Sequence, residues 1–502
     1  METERTSGAV LEMPKEQTTS LEIRETALSS ELSSELPESR TLVKTQIAEH
    51  RDINSSAAVA SLPDEVLAMI FEAGASRQAE DFEDNRFYFS LLVSQITHRF
   101  RTIAIATPSL WTYIDIHLAE HTSLLDLQLQ RSKSCTLDIC IHDIYLPRNT
   151  TFKEEAHIQL FMNKIILHAA NLRRLAIRAF RPSFVKDVVS HLYNISVPNL
   201  EDFCVILDEE SYTPQEWLGS DNKCIFDGGA PNLSSVSLSG ISIYCCQTPW
   251  AAVTTLSLDA DSETYMPITY VRFAETLRAL SSLRQLSLIG LVFAFGAEDV
   301  VAVEIPPLRS LVVRPWNYRD AGVDDNGGSY TFKLFASIIA PGLSCLTFST
   351  STPEQNDAFL ESLRLHSSPK YPILRSLVVD PREGAPLPHI TFFNAFPSLL
   401  HFELSGIFYA EALMDLFIYW DNKSSMLDAP SICPKLRSIA LPVSITVDGA
   451  YLLTKLESFL ASCVAVKRPL HKVCLITDGS PHDLELFRDL QAYDIEVELK
   501  RW

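Results

Sequence analysis

Eleven times between residues 172 and 475 the chain repeats one hexamer, Leu-x-x-Leu-x-Leu with apolar substitutes. The copies start at Leu172, Leu200, Leu233, Val253, Leu283, Leu308, Leu343, Leu374, Leu399, Leu436 and Leu470. Successive starts lie 20 to 37 residues apart. In a strand, side chains alternate between two faces, so the end of each hexamer sends its apolar residues one way and the x positions the other. Helix-patterned stretches lie between copies, at 157–170, 271–280, 358–366, 410–420 and 451–463. Strand then helix, repeated, stacks into a parallel sheet with helices outside it. Seven hexamers have proline two residues before their first apolar position: Pro198, Pro231, Pro306, Pro341, Pro372, Pro397 and Pro434. Proline there ends the preceding segment and fixes the backbone leading into the strand.

A spacing of about 30 residues stands at or beyond the long end of leucine-rich repeats. No asparagine follows the hexamers where short repeats place an asparagine ladder. The expected fold is therefore α/β: an irregular leucine-rich-repeat solenoid over 170–502, parallel sheet inside and helices outside. Residues 117–169 would connect to it and cap it. The residue between the last two apolar positions is Ala176, Cys204, Ser237, Ser257, Ser287, Val312, Thr347, Val378, Glu403, Ala440 or Cys474, nearly always small. The open sheet face should be shallow. Arg173, Arg174, Arg284, Arg309, Arg375 and Arg437 fall at the start of the strands. They are solvated residues there, or a basic rim that helps to hold an acidic target.

Ahead of the array, residues 1–57 are rich in Ser, Thr and Glu and have no aromatic residue, a composition expected to be disordered. A short helical module should follow over 58–116. Ser61-Leu62-Pro63-Asp64 reads as a helix start, and Val66, Leu67, Ile70 and Phe71 recur on one helical face. Residues 75–88 interrupt that pattern. A second helix is predicted over 90–106 on the stripe Leu92, Val93, Ile96, Phe100 and Ile103. Thr107-Pro108 stops it ahead of a turn carrying Leu110 and Trp111. So few short helices make a small core, and such units usually need a partner.

These pieces carry a resemblance. LPDEVLAMIFEAG (62–74) and LLVSQITHRFRTIAIATPSLWTYIDI (91–116) resemble the F-box-like proteins abundant in mushroom-forming fungi. The chain has Thr97 where that family usually has Cys, and Phe100 where it has Trp. The resemblance implies that the helices dock on a Skp-type adaptor of a cullin–RING ubiquitin ligase while the repeats recruit a target protein. Leu62, Pro63, Val66, Leu67, Ile70, Phe71, Leu92, Val93, Ile96, Phe100, Ile103, Leu110 and Trp111 would then form the module's core and docking face. The alternative is an interaction scaffold without a ubiquitin role, its leading helices only capping the array.

No phosphate-cradling glycine loop, GxSxG elbow or HExxH pair occurs, and glycine is scarce at 16 residues. The reading is of a protein that is not an enzyme, with no cofactor and no metal ligands: none of the ten cysteines lies in a CxxC pair or at zinc-site spacing from histidine. A net charge of −21 repels phosphate backbones, so nucleic acid is a poor partner. No run of apolar residues is long enough to span a membrane. With no apolar leader at its start, the chain reads as cytoplasmic or nuclear, its thiols reduced.

Overall fold

The structure is a computed structural model that describes residues 58–80, 89–117, 122–143, 154–207, 224–244, 246–261, 267–296, 301–315, 328–350, 352–364, 369–381, 393, 395–405, 414–415, 417–419, 433–442, 449–465, 470–477 and 495–501. The chain divides into two compact units, Met1–Leu110 and Trp111–Trp502. The expected disordered segment 1–57 lies outside the described residues.

In the first unit a 3₁₀ turn, Ala58–Ser61, leads to helix α1 (Asp64–Glu80), then α2 (Phe89–Ile96) and α3 (His98–Ala106). Two details depart from the sequence pattern. Helix α1 runs past Gly74 to Glu80 instead of stopping there. Gly74 lets the Phe89 ring pack against the helix backbone, since a Cβ there would sit 2.4 Å from its Cζ and push the ring aside. The helix expected over 90–106 is two helices, broken at Thr97. That residue is extended (φ −141°, ψ 162°), and its Oγ1 accepts a hydrogen bond from the Phe100 N–H, 3.0 Å away. A threonine that caps a new helix satisfies one of the N–H groups a helix start leaves open. Arg99 ties the two ends together, its Nε donating to Asp64 Oδ1 at 2.8 Å. The Phe71 and Phe100 rings meet edge to face, 5.1 Å apart.

The second unit is built on a 14-stranded sheet whose neighbours follow chain order throughout. Its strands are β1 (Tyr113–His117), β2 (Leu137–His142), β3 (Leu172–Ala179), β4 (Asp202–Leu207), β5 (Ser235–Ser239), β6 (Thr255–Ala260) and β7 (Gln285–Gly290). They continue as β8 (Ser310–Arg314), β9 (Cys345–Thr350), β10 (Ser376–Pro381), β11 (His401–Leu404), β12 (Ser438–Pro442), β13 (Lys472–Thr477) and β14 (Glu496–Arg501). Every pairing is parallel. Each of the eleven hexamers supplies one strand, β3 to β13. Helices alternate with the strands: α4 (Thr122–Ser132), α5 (Glu154–Ile166), α6 (Pro182–Ser190), α7 (Tyr270–Ala279), α8 (Gly328–Ser337), α9 (Pro353–Arg364) and α10 (Gly449–Ala465). This is an α/β protein with a long, open, all-parallel sheet, as a leucine-rich-repeat-like solenoid requires.

The prolines have a specific place. Each is the second residue of a tight turn in which the first hexamer leucine donates back three residues, as in Leu200 N to Val197 O, Leu233 to Ala230, Leu343 to Ala340, Leu374 to Tyr371 and Leu436 to Cys433. Proline's fixed φ suits that position of a type I or II turn. Next, the carbonyl of the second hexamer residue accepts two N–H groups from the following repeat. Arg284 O takes Arg309 N and Ser310 N, Arg309 O takes Ser344 N and Cys345 N, and the ladder continues to Arg437 O. Backbone groups at the strand starts are thereby satisfied between repeats, without an asparagine ladder.

The leucines face the helices and are buried in one continuous core that runs from Ile114 to Leu475. Phenylalanines link successive repeats within it: Phe335 lies 4.3 Å from Phe359 and Phe393 lies 5.2 Å from Phe402, ring centre to ring centre. The sheet begins at Tyr113, and the segment read as connecting to the array and capping it (117–169) contains β2 with α4 and α5. Strands β1, β2 and β14 lack the full hexamer and were not anticipated from it. Their alternation of apolar and polar residues, as in Leu137-Asp138-Ile139-Cys140-Ile141-His142, is the signal that marks them.

Candidate functional site

The structure sorts the thirteen sequence-predicted residues, twelve in the helical unit and Trp111 at the start of the second, by exposure. Leu67, Phe71, Val93, Ile103, Leu110 and Trp111 are buried. Leu62 and Phe100 are partly buried, and Pro63 is exposed. Val66, Ile70, Leu92 and Ile96 are exposed, at 37%, 49%, 51% and 58%. Met69 at 66% and Ile105 at 41% join them, although the sequence pattern did not single them out. Val66, Met69 and Ile70 stand at i, i+3 and i+4 of α1, and Leu92 and Ile96 at i and i+4 of α2, so each helix presents a stripe. A stripe of large exposed apolar side chains is an informative deviation, since large exposed apolar patches mark interaction sites.

On the sheet, the strand register aligns the small x residues in one unbroken row: Ala176, Cys204, Ser237, Ser257, Ser287, Val312, Thr347, Val378, Glu403, Ala440 and Cys474. Asp115 and Cys140 extend this row at the first two strands and Glu498 at the last. The arginines separate. Arg174, Arg284, Arg309, Arg375 and Arg437 are exposed. Arg173 is instead drawn into a two-point ion pair with Asp138, with Nε–Oδ1 at 2.8 Å and Nη2–Oδ2 at 2.5 Å. Arg309 Nη1 donates to the Gly342 carbonyl at 2.8 Å.

The open face is polar and crowded at its first strands. The Asp115 carboxylate lies 2.6 Å from His142 Nε2 and 3.4 Å from His117 Nε2. The two imidazole rings stack, centroids 4.6 Å apart. Burial works to raise the Asp115 carboxyl, but hydrogen bonds from His117 and His142 overcome it and hold the group well below the usual carboxylate range. Burial, then the Asp115 charge, pushes the Cys140 thiol up to about 12. Burial likewise pushes Cys204 up to about 11. Unless a cation binds beside it, a thiol shifted this way stays protonated at neutral pH and is a poor nucleophile. Among the described cysteines all are free thiols, and Cys345 is exposed rather than buried in its strand.

No family model matches this chain, and no curated protein matches it either. Among the described residues, no helix is long and apolar enough to cross a membrane.

Proposed function

We propose that the protein is an F-box-like substrate-recognition adaptor, which binds a Skp-type adaptor of a cullin–RING ubiquitin ligase and presents a target held by the repeat sheet. The observation that carries this reading is the exposed stripe on α1 and α2, Val66, Met69, Ile70, Leu92 and Ile96. These residues lie within the two segments that resemble the F-box-like pattern. A helical unit that only capped the array would need no such exposed apolar set; a unit that docks needs one. The target side of the proposal rests on the shallow row of small residues and on the exposed Arg284, Arg309, Arg375 and Arg437 at the strand starts, which favour an acidic target segment. Titrating the purified full-length chain with a purified Skp-type adaptor tests the first half. Saturable one-to-one binding in the micromolar range or tighter is expected. A folded chain that shows no binding to the adaptor returns the protein to the scaffold reading.

A further inference from the structure

Spacing along the chain shows no metal-ligand set among the cysteines and histidines. The sheet register creates a set across two strands instead. In β1, Ile114-Asp115-Ile116-His117 and in β2, Ile139-Cys140-Ile141-His142 share one pattern. Asp115 pairs with Cys140, and His117 with His142. Alternation puts all four side chains on the same face of the sheet, opposite the buried isoleucines.

We propose that Asp115, Cys140 and His142 form a binding site for a divalent transition metal of the zinc class. The donor atoms of these three residues all lie within 4.8 Å of one another. Four-coordinate zinc, with bonds of about 2.0–2.3 Å, sets its ligand atoms roughly 3.3–3.8 Å apart. Closing the set therefore takes side-chain movements of at most about 1–1.5 Å, and opening the 2.6 Å contact between His142 Nε2 and Asp115 by about 1 Å. The ion would come between that imidazole nitrogen and that carboxylate oxygen. One thiol proton leaves as the sulfur binds as thiolate.

The donor chemistry selects the metal. Sulfur, imidazole nitrogen and carboxylate oxygen together suit zinc, cobalt or copper and disfavour calcium or magnesium, which take oxygen ligands. Aspartate and thiolate together cancel a divalent charge, which matters because Arg178 stands opposite His142 in the register. His117, 3.4 Å from the other carboxylate oxygen, would orient Asp115 as an outer partner. The side chains of Asp115 and His142 are each 18% exposed while Cys140 is buried, so an ion would reach the set from the aspartate–histidine side.

Cobalt(II) is the probe, because a thiolate ligand gives it a near-ultraviolet charge-transfer band and tetrahedral geometry gives intense visible bands. The full-length protein, reduced and stripped with chelator, is titrated with Co²⁺ and then with Zn²⁺. Both sets of bands are expected at one equivalent and should vanish on addition of zinc. Cys140→Ser, nearly isosteric, should remove the charge-transfer band. His142→Gln should weaken binding at least tenfold while the circular dichroism stays that of the parent. Absence of a saturable cobalt signal, or the same signal in Cys140→Ser and His142→Gln, would overturn the proposal.

Discussion

The exposed stripe of the helical unit makes a quantitative prediction. Met69 and Ile96 are its two most exposed members, at 66% and 58%. Burying a side chain of this size completely stabilises by about 1.5–3 kcal/mol, so covering the exposed portion of each contributes roughly 1–1.5 kcal/mol on docking. The double substitution Met69→Ala/Ile96→Ala should therefore weaken adaptor binding by about 2–3 kcal/mol, or roughly 30- to 150-fold in Kd. The fold should lose less, because only the smaller, buried part of each side chain contributes to it: about 1 kcal/mol or less per site. Leu67→Ala is the contrasting change. Leu67 is fully buried, and its truncation should cost about 2–5 kcal/mol of folding stability. Isothermal titration against the Skp-type adaptor, paired with urea denaturation of each variant, separates the two effects. The reasoning is refuted if Met69→Ala/Ile96→Ala binds as tightly as the parent chain. A loss of folding stability as large as that of Leu67→Ala would equally show that these residues are core.

The array makes further predictions. Leu346→Ala, at a residue 1% exposed, should cost about 2–5 kcal/mol, whereas Thr347→Ala beside it on the open face should change stability by about 0.5 kcal/mol or less; urea midpoints would show it. Gly290→Ala should destabilise by at least about 1–2 kcal/mol, because Gly290 has φ +74° and an added Cβ would lie 2.5 Å from the Ala260 backbone. Unchanged denaturation of that variant would contradict the strand-end geometry. Burial lowers Lys370 from its ordinary 10.5 to about 8, where its ammonium donates to the Phe335 carbonyl. The unfolded chain holds that proton to higher pH than the folded one, so this residue's penalty is full below pH 8 and fades as pH rises from about 8 to 10.5. Stability against urea should gain from this residue over that window, and Lys370→Met should remove the gain.

Much of the array was legible because its signal is local and repeated. The proline turn, the leucine positions and the alternation all point to the same strand, and the structure puts all eleven hexamers in one sheet. The hexamer pattern does not reach β1 and β2, because Tyr113–His117 has no leading leucine and Leu137 is followed by one spacer residue instead of two. Their shared Ile-x-Ile-His pattern is visible only when the two segments are aligned. The break at Thr97 was hidden because the apolar stripe runs through it unchanged; capping is set by backbone dihedrals, which periodicity does not report. Periodicity also identifies an apolar face without saying whether anything covers it. Leu67 and Val66 are neighbours of similar character, and only packing decides that one is buried and the other exposed. The ligand set at Asp115, Cys140 and His142 depends on strand register, which residue spacing along the chain does not contain.

The proposed docking rests on the side chains that α1 and α2 leave exposed. Amide hydrogen exchange on the full-length chain, with and without saturating Skp-type adaptor, addresses it directly. Exchange should slow across 64–71 in α1 and 89–96 in α2, with the amides of β3 to β13 unchanged. Slowing confined to the sheet strands, or none in either helix at saturation, would contradict the account.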